Sequence, residues 1–213
     1  MTRVKICGIT EFEDARDAVL LGANAIGLNF YPNSPRYIEP ARAAKIIDKL
    51  PPFVTVVGVF VNHPDPQNLE DFALSLGLHA VQLHGNETPG YCSMIHRVKV
   101  IKVFRVDSNF RVDTLRKHGS GTFLLDACSP SQFGGTGKVF DWHLAFGANA
   151  FGSIIIAGGL TPDNVSDVVN TLHPFGVDVT SGVESKAGKK DYDKMRRFIE
   201  AVQRADVALM GAS

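Results

Sequence analysis

Several features that would mark a nucleic-acid or membrane protein are missing from this sequence. Lys plus Arg number 22 and Asp plus Glu number 22, so no surplus of positive charge exists to displace counterions from a polyphosphate backbone or an anionic bilayer. No apolar run reaches the roughly 18 residues of a membrane span, and the opening MTRVKICG is a charged strand pattern rather than the apolar stretch of a signal peptide. Cysteine is scarce. Cys7, Cys92 and Cys128 are odd in number, far apart and free of CxxC spacing, which argues against a disulfide framework or a zinc site. GGTGK at 134–138 lacks the GxxxxGK[ST] spacing of a P-loop, and Val139 follows its lysine. What remains is a chain of 213 residues, 45% hydrophobic, that reads as a soluble cytoplasmic protein with a small-molecule partner, no nucleic acid and no membrane.

What is present is a repeat. Short apolar runs recur at 3–7, 25–30, 54–61, 79–84, 98–104, 122–127, 153–159 and 176–182, and amphipathic stretches lie between them. Thr10 and Glu13 form a capping-box pattern ahead of FEDARDAVLLG, with Gly22 as its stop. Pro40 opens a second helix, and Gly77 ends a third. Thr161 with Pro162 predicts the start of another. The last helix carries Tyr192, Met195, Phe198, Ile199 and Val202 at helical spacing. Strands alternating with helices predict a parallel sheet covered on both faces, and eight such units close into a (β/α)8 TIM barrel, an α/β fold, as a single domain over 1–213. An open doubly wound sheet is the alternative. The glycine-rich 128–140 segment reads as a flexible lid.

Side chains alternate faces along a strand, so parity predicts which residues enter the bore. Val4 and Ile6 face the helices, sending Lys5 and Cys7 inward. By the same rule Gln82 and His84, Thr122, Leu124 and Asp126, and Asp178 and Thr180 point inward. The polar exceptions gather at the carboxyl ends of their strands, where barrel enzymes hold their chemistry. Each has a plainer reading as well: Cys7 as a small core hydrophobe, His84 as a hydrogen-bonded wall residue, Asp178 as a turn cap. Gly158 and Gly159 after the seventh run, and Ser181 and Gly182 after the eighth, are turns whose bare N–H groups suit a phosphate. Arg36 in NSPRYI is placed to clamp a carboxylate through two hydrogen bonds, or to sit solvated on the surface.

KICGIT, GLNFYPNSPRYI, GVFVN, VQLHGNE, LLDA, GGTGKVFDW, AGGLTPDNV and GVDVTSGVESKAGKKD together resemble the phosphoribosylanthranilate isomerase family of tryptophan biosynthesis, over almost the whole chain and in order. The resemblance implies an Amadori rearrangement of a phosphorylated small molecule without metal or organic cofactor. It implies Cys7 as general base, Asp126 as general acid, Arg36 on the anthranilate carboxylate, and Gly158, Gly159, Ser181 and Gly182 on the phosphate. Lys5, Gln82, His84 and Asp178 remain as further substrate contacts. Thr180 departs from the serine common in the family but keeps the hydroxyl. An isolated Asp near 3.9 is ionised at neutral pH and a Cys near 8.5 mostly is not, the reverse of these roles. A positive neighbour is therefore required beside the thiol, and Lys5 is the candidate. Indole-glycerol-phosphate synthase resembles the phosphate half alone, and a silent phosphoribosyl-binding barrel would have no use for Cys7 with Asp126. A closed barrel is complete as one copy, and a homodimer is equally open to it.

Overall fold

The computed structural model describes residues 1–119, 121–127 and 141–211. Cys128 and the segment expected as a lid lie outside the described residues. In chain order the elements are β1 (Arg3–Cys7), α1 (Phe12–Leu20), β2 (Ala25–Asn29), α2 (Pro40–Ile47), β3 (Thr55–Phe60), α3 (Pro66–Ser75), β4 (Ala80–Leu83), the single turn α4 (Pro89–Cys92) and β5 (Lys99–Val106). Then follow β6 (Thr122–Ala127), β7 (Ser153–Ile156), α5 (Val165–Leu172), β8 (Gly176–Val179), a small hairpin of β9 (Glu184–Lys186) and β10 (Lys189–Lys190), and α6 (Tyr192–Gly211). Strands β1 to β8 pair in sequence order, all parallel, and β8 returns to β1, so the sheet closes and the open-sheet alternative falls.

The two faces of this ring separate as parity predicts. Val4, Ile6, Val81, Leu83, Phe123, Leu125, Val177 and Val179 belong to the layer between sheet and helices. Val57, Ala80, Ile101, Val103, Leu124, Ile155 and Ala157 form a second, separate apolar cluster inside the bore. That inner cluster is a packed floor, and the polar inward residues stand around it.

Local signals were overruled in four places. Thr10 does not cap α1: its hydroxyl donates to the Gly188 carbonyl at 2.6 Å, and Glu11 takes the cap position without a side-chain bond. Thr161 precedes a turn rather than a helix. Asn164 occupies the cap of α5, and its side-chain oxygen accepts from the Thr161 N–H at 2.8 Å. The helices expected after β5 and β6 are 3-10 turns, Val112–His118 and then Trp142–Ala145 and Ala148–Phe151. The first has only Leu115 fully buried and ends at Gly119 in the left-handed region, too little apolar stripe for an α-helix. Tyr192 lies half exposed at the start of α6, while Met195, Phe198, Ile199 and Val202 are buried. Asp65 accepts from the Gln67 and Asn68 N–H groups to cap α3, with Pro66 in the first turn.

Leu124 is fully buried in the bore floor, so Leu124→Ala leaves a cavity with rigid walls. The expected cost is about 3 kcal/mol, read as a lower urea midpoint with unchanged slope.

Candidate active site

A cleft opens at the carboxyl ends of the strands, and Cys7, Arg36, Gln82, His84, Asp126, Gly158, Gly159, Asp178 and Ser181 all line it. They come from every part of the chain. Lys5 and Gly182 do not: Lys5 lies under the cleft, and Gly182 lies behind the wall.

Cys7 ends β1, and its register partner on β2 is Gly27. A Cβ on Gly27 would stand 2.5 Å from the Cys7 Sγ, so the missing side chain is what makes room for the sulfur. Gly8 follows with φ of +75, a conformation that glycine adopts without strain, and its bare Cα lets the Arg36 stem pass. Two residues back on the same face of β1, Lys5 crosses the bore. Its Nζ donates to Asp178 Oδ1 on β8 and to Gln82 Oε1 on β4, each at 2.9 Å, with all three side chains buried. Burial alone would lower the Lys5 pKa, but the Asp178 carboxylate and the Cys7 sulfur outweigh it and hold it above the ordinary lysine value.

Lys5 acts on the thiol in the expected direction, but not strongly enough to bring it below its ordinary value. Burial pushes the Cys7 thiol up, and the opposing charges of Lys5 and Lys190 leave it above its ordinary value, with Asp178 adding to the rise. Burial is the larger cause, and the Asp178 carboxylate paired with Lys5 adds to it. The sulfur therefore faces an ion pair rather than a free cation.

Asp126 closes β6. Its Oδ2 meets His84 Nε2 at 3.0 Å, and His84 Nδ1 meets Gln82 Nε2 at 3.1 Å, so the buried carboxyl group has the partner that burial demands. Arg36 makes the two-pronged clamp that its side chain allows, but on Glu184: Nε donates to Oε1 at 2.9 Å and Nη2 to Oε2 at 2.7 Å. Its Nη1 makes no hydrogen bond among the described residues. Glu184 also accepts from Lys190 Nζ at 2.8 Å, and Lys190 is wholly buried. Burial would raise the Glu184 pKa, yet the Arg36 and Lys190 contacts hold it below the usual glutamate value. Desolvation, by contrast, lowers Lys190 despite its carboxylate. Two cations share one carboxylate, which leaves one positive charge over at the cleft wall. Neither Glu184 nor Lys190 stood out in the sequence, since SGVESKAGKKD reads as a solvated turn until a β-hairpin folds it back under Arg36. Gly27 was equally silent.

The turns after β7 and β8 stand side by side. Gly158 and Gly159 have φ of +83 and +67, and their N–H groups make no hydrogen bond among the described residues. A Cβ on Gly182 would fall 1.9 Å from the Leu160 carbonyl oxygen, so this glycine lets one turn press against the other. The Asn164 amide ties the first turn from behind, donating to the Gly159 carbonyl at 2.9 Å. Among the described residues no cluster of His, Cys, Asp and Glu is arranged to hold a metal ion, and no helix is long and apolar enough to cross a membrane.

Comparison with known proteins points one way. The sequence model of the family described as N-(5'-phosphoribosyl)anthranilate isomerase matches residues 4–201. The Geobacter sulfurreducens enzyme of that name is 51% identical over 199 residues, covering 93% of this chain and 97% of its own. Phosphoribosyl anthranilate isomerase from Thermotoga maritima superposes with a TM-score of 0.89 at 43% identity, covering 96% of this chain and all of that one. Monomers generated from the dimeric enzyme of the same organism superpose with a TM-score of 0.84 at 39% identity, covering 95% and 99%. A phosphoribosyl anthranilate isomerase in complex with reduced 1-(o-carboxyphenylamino)-1-deoxyribulose 5-phosphate gives 0.86 at 41%, covering 96% and 100%.

With its thiol pushed above the ordinary value, Cys7 is mostly protonated at neutral pH. Iodoacetamide labelling of the Cys7 peptide, followed by mass spectrometry, is expected to go on accelerating with pH beyond the ordinary thiol range. Lys190→Met is expected to move that curve to higher pH still. A labelling rate that levels off near neutrality would contradict the burial argument.

Proposed function

The chain belongs to the N-(5'-phosphoribosyl)anthranilate isomerase family, and on that premise we propose that it works by an Amadori rearrangement driven by Cys7 and Asp126. It is an isomerase of tryptophan biosynthesis. The observation that carries the mechanistic reading is that a thiol and a carboxyl group line one cleft together with an arginine and two glycine turns.

Asp126 gives a proton to the furanose ring oxygen as the C1–O bond breaks, while the nitrogen lone pair forms the C1=N bond of a protonated Schiff base. The thiolate form of Cys7 then removes the C2 proton, the C2–H electrons form the C1=C2 bond and the C1=N pair returns to nitrogen, giving an enolamine. Transfer of the C2 hydroxyl proton and reprotonation at C1 yield 1-(2-carboxyphenylamino)-1-deoxyribulose 5-phosphate. Atoms and electrons balance within the substrate, so the chemistry calls for no cofactor. Arg36 meets the anthranilate carboxylate with Nη1, its other edge being fixed by Glu184, and the charge left over on the Arg36, Glu184 and Lys190 group favours that anion. The turns at Gly158, Gly159, Ser181 and Gly182 take the phosphate. The complex reported for a 41% identical isomerase, with a reduced form of this product, supports the same assignment.

Loss of the fluorescence of the anthranilate-type substrate measures turnover. Cys7→Ala and Asp126→Asn are each expected to lower kcat by roughly 10²- to 10⁴-fold with the fold retained. Near-parental rates in either variant would remove that residue from the reaction.

A homodimer belongs to the same reading. Its support is the dimeric Thermotoga maritima relative together with Phe53, which is 95% exposed ahead of β3 and lines, with Phe175, the cleft at the opposite mouth of the barrel. Sedimentation is expected to give a dimer for the parent and a monomer for Phe53→Asp, and a parent that sediments as a monomer would end this part of the proposal.

A further inference from the structure

One line of polar contacts runs across the floor of the cleft, from Asp178 through Lys5, Gln82 and His84 to Asp126. Its direction is forced from one end. The Lys5 ammonium only donates, and Asp178 holds it in place, so the Gln82 atom facing it at 2.9 Å must be the amide oxygen. The Gln82 amide nitrogen then points at His84 Nδ1, at 3.1 Å. An amide N–H needs a lone pair opposite it, so His84 Nδ1 is bare. A neutral imidazole with a bare Nδ1 carries its proton on Nε2, and Nε2 lies 3.0 Å from Asp126 Oδ2.

Reversing any member breaks two contacts together. With Gln82 flipped, its N–H groups would face an ammonium and its oxygen would face a lone pair. An imidazolium would drive an Nδ1 proton against the amide N–H. Gln82 is 1% exposed, so water is not there to relieve either clash.

We propose that Gln82 is a positioning residue: pinned by Lys5, it locks His84 into the Nε2-protonated form and thereby directs the acid proton of Asp126 to Oδ1. A hydroxyl oxygen is a poorer acceptor than a carbonyl oxygen, so a protonated Asp126 that accepts from His84 on Oδ2 keeps its proton on Oδ1. That oxygen lies beside Gly158, 2.7 Å from where a Cβ on that glycine would stand, at the phosphate side of the cleft. His84 is then a fixed donor that steadies the carboxylate left after proton release, and it takes no proton itself. The catalytic half of this inference rests on the reading of Asp126 as the acid, and the tautomer half does not.

The decisive measurement is long-range 1H–15N correlation on protein labelled at its seven histidines, with the His84 signals identified by their loss in His84→Gln. The parent is expected to show Nε2 protonated and Nδ1 bare. Gln82→Glu places an acceptor oxygen against Nδ1, so His84 is expected to become protonated there. With it kcat should fall about tenfold or more, while KM stays within about a factor of two. Nδ1 protonation in the parent would overturn the proposal without any variant, as would an unchanged tautomer in Gln82→Glu. A switched tautomer with unchanged kcat would overturn the positioning role. A parent with the expected tautomer but no isomerase turnover would instead sink the reading of the reaction and leave the tautomer lock standing.

Discussion

The bond between the Lys5 ammonium and the Asp178 carboxylate is the constraint on which the site is built. Lys5 and Asp178 are register partners on β1 and β8, the two strands whose pairing closes the ring. A buried ion pair carries a desolvation cost of several kcal/mol per ion, and it persists only where further hydrogen bonds complete it. Gln82 on the opposite side of the bore supplies one. Two neighbouring strands and a third across the ring are thereby joined at one nitrogen atom. The apolar floor beneath keeps water from competing for it. Truncating any one member would leave at least one of the others short of a buried partner, so this layer ties the stability of the barrel to the geometry of its cleft.

A second buried group follows the same logic with a different outcome. Glu184 carries both Arg36 and Lys190, and its carboxylate is satisfied by the two cations and by the Gly188 N–H. Held by two atoms of Glu184, the guanidinium cannot swing to solvent, and its planar fork turns a long, entropically costly side chain into a fixed one. The anthranilate carboxylate of the isomerisation substrate would thus meet a donor already in place. Neutralising a site completely would remove its attraction for an anion. Neutralising it by half leaves direction and charge together.

Much of this arrangement was legible because strand parity is a local rule. Lys5, Cys7, Gln82, His84, Asp126 and Asp178 were placed by counting residues, and the closed ring carried all but Lys5 to the wall of one cleft, with Lys5 beneath it. Helix starts were read less well. Thr10 and Thr161 have the right residue types, yet Gly188 and Asn164 offered their groups better partners. The distance between Thr10 and Gly188 along the chain explains why no window of sequence reveals the bond. Glu184, Lys190 and Gly27 escaped for a related reason. Nothing near Gly27 announces that a sulfur needs its empty side, and a lysine in a polar hairpin is ordinary until the fold seals it beneath a strand end.

Gly182 lies directly against the Leu160 carbonyl. Because the two turns proposed to take the phosphate touch backbone to backbone, they would act as a single socket rather than as two loops that must find each other around an incoming ligand. The loss of freedom that usually accompanies capture of a doubly charged group has already been met when the chain folds, and less of the binding free energy is consumed in arranging the receptor. Small phosphorylated sugars offer few atoms to hold, so a socket shaped in advance leaves more of their limited contact energy for steering the sugar carbons toward the thiol.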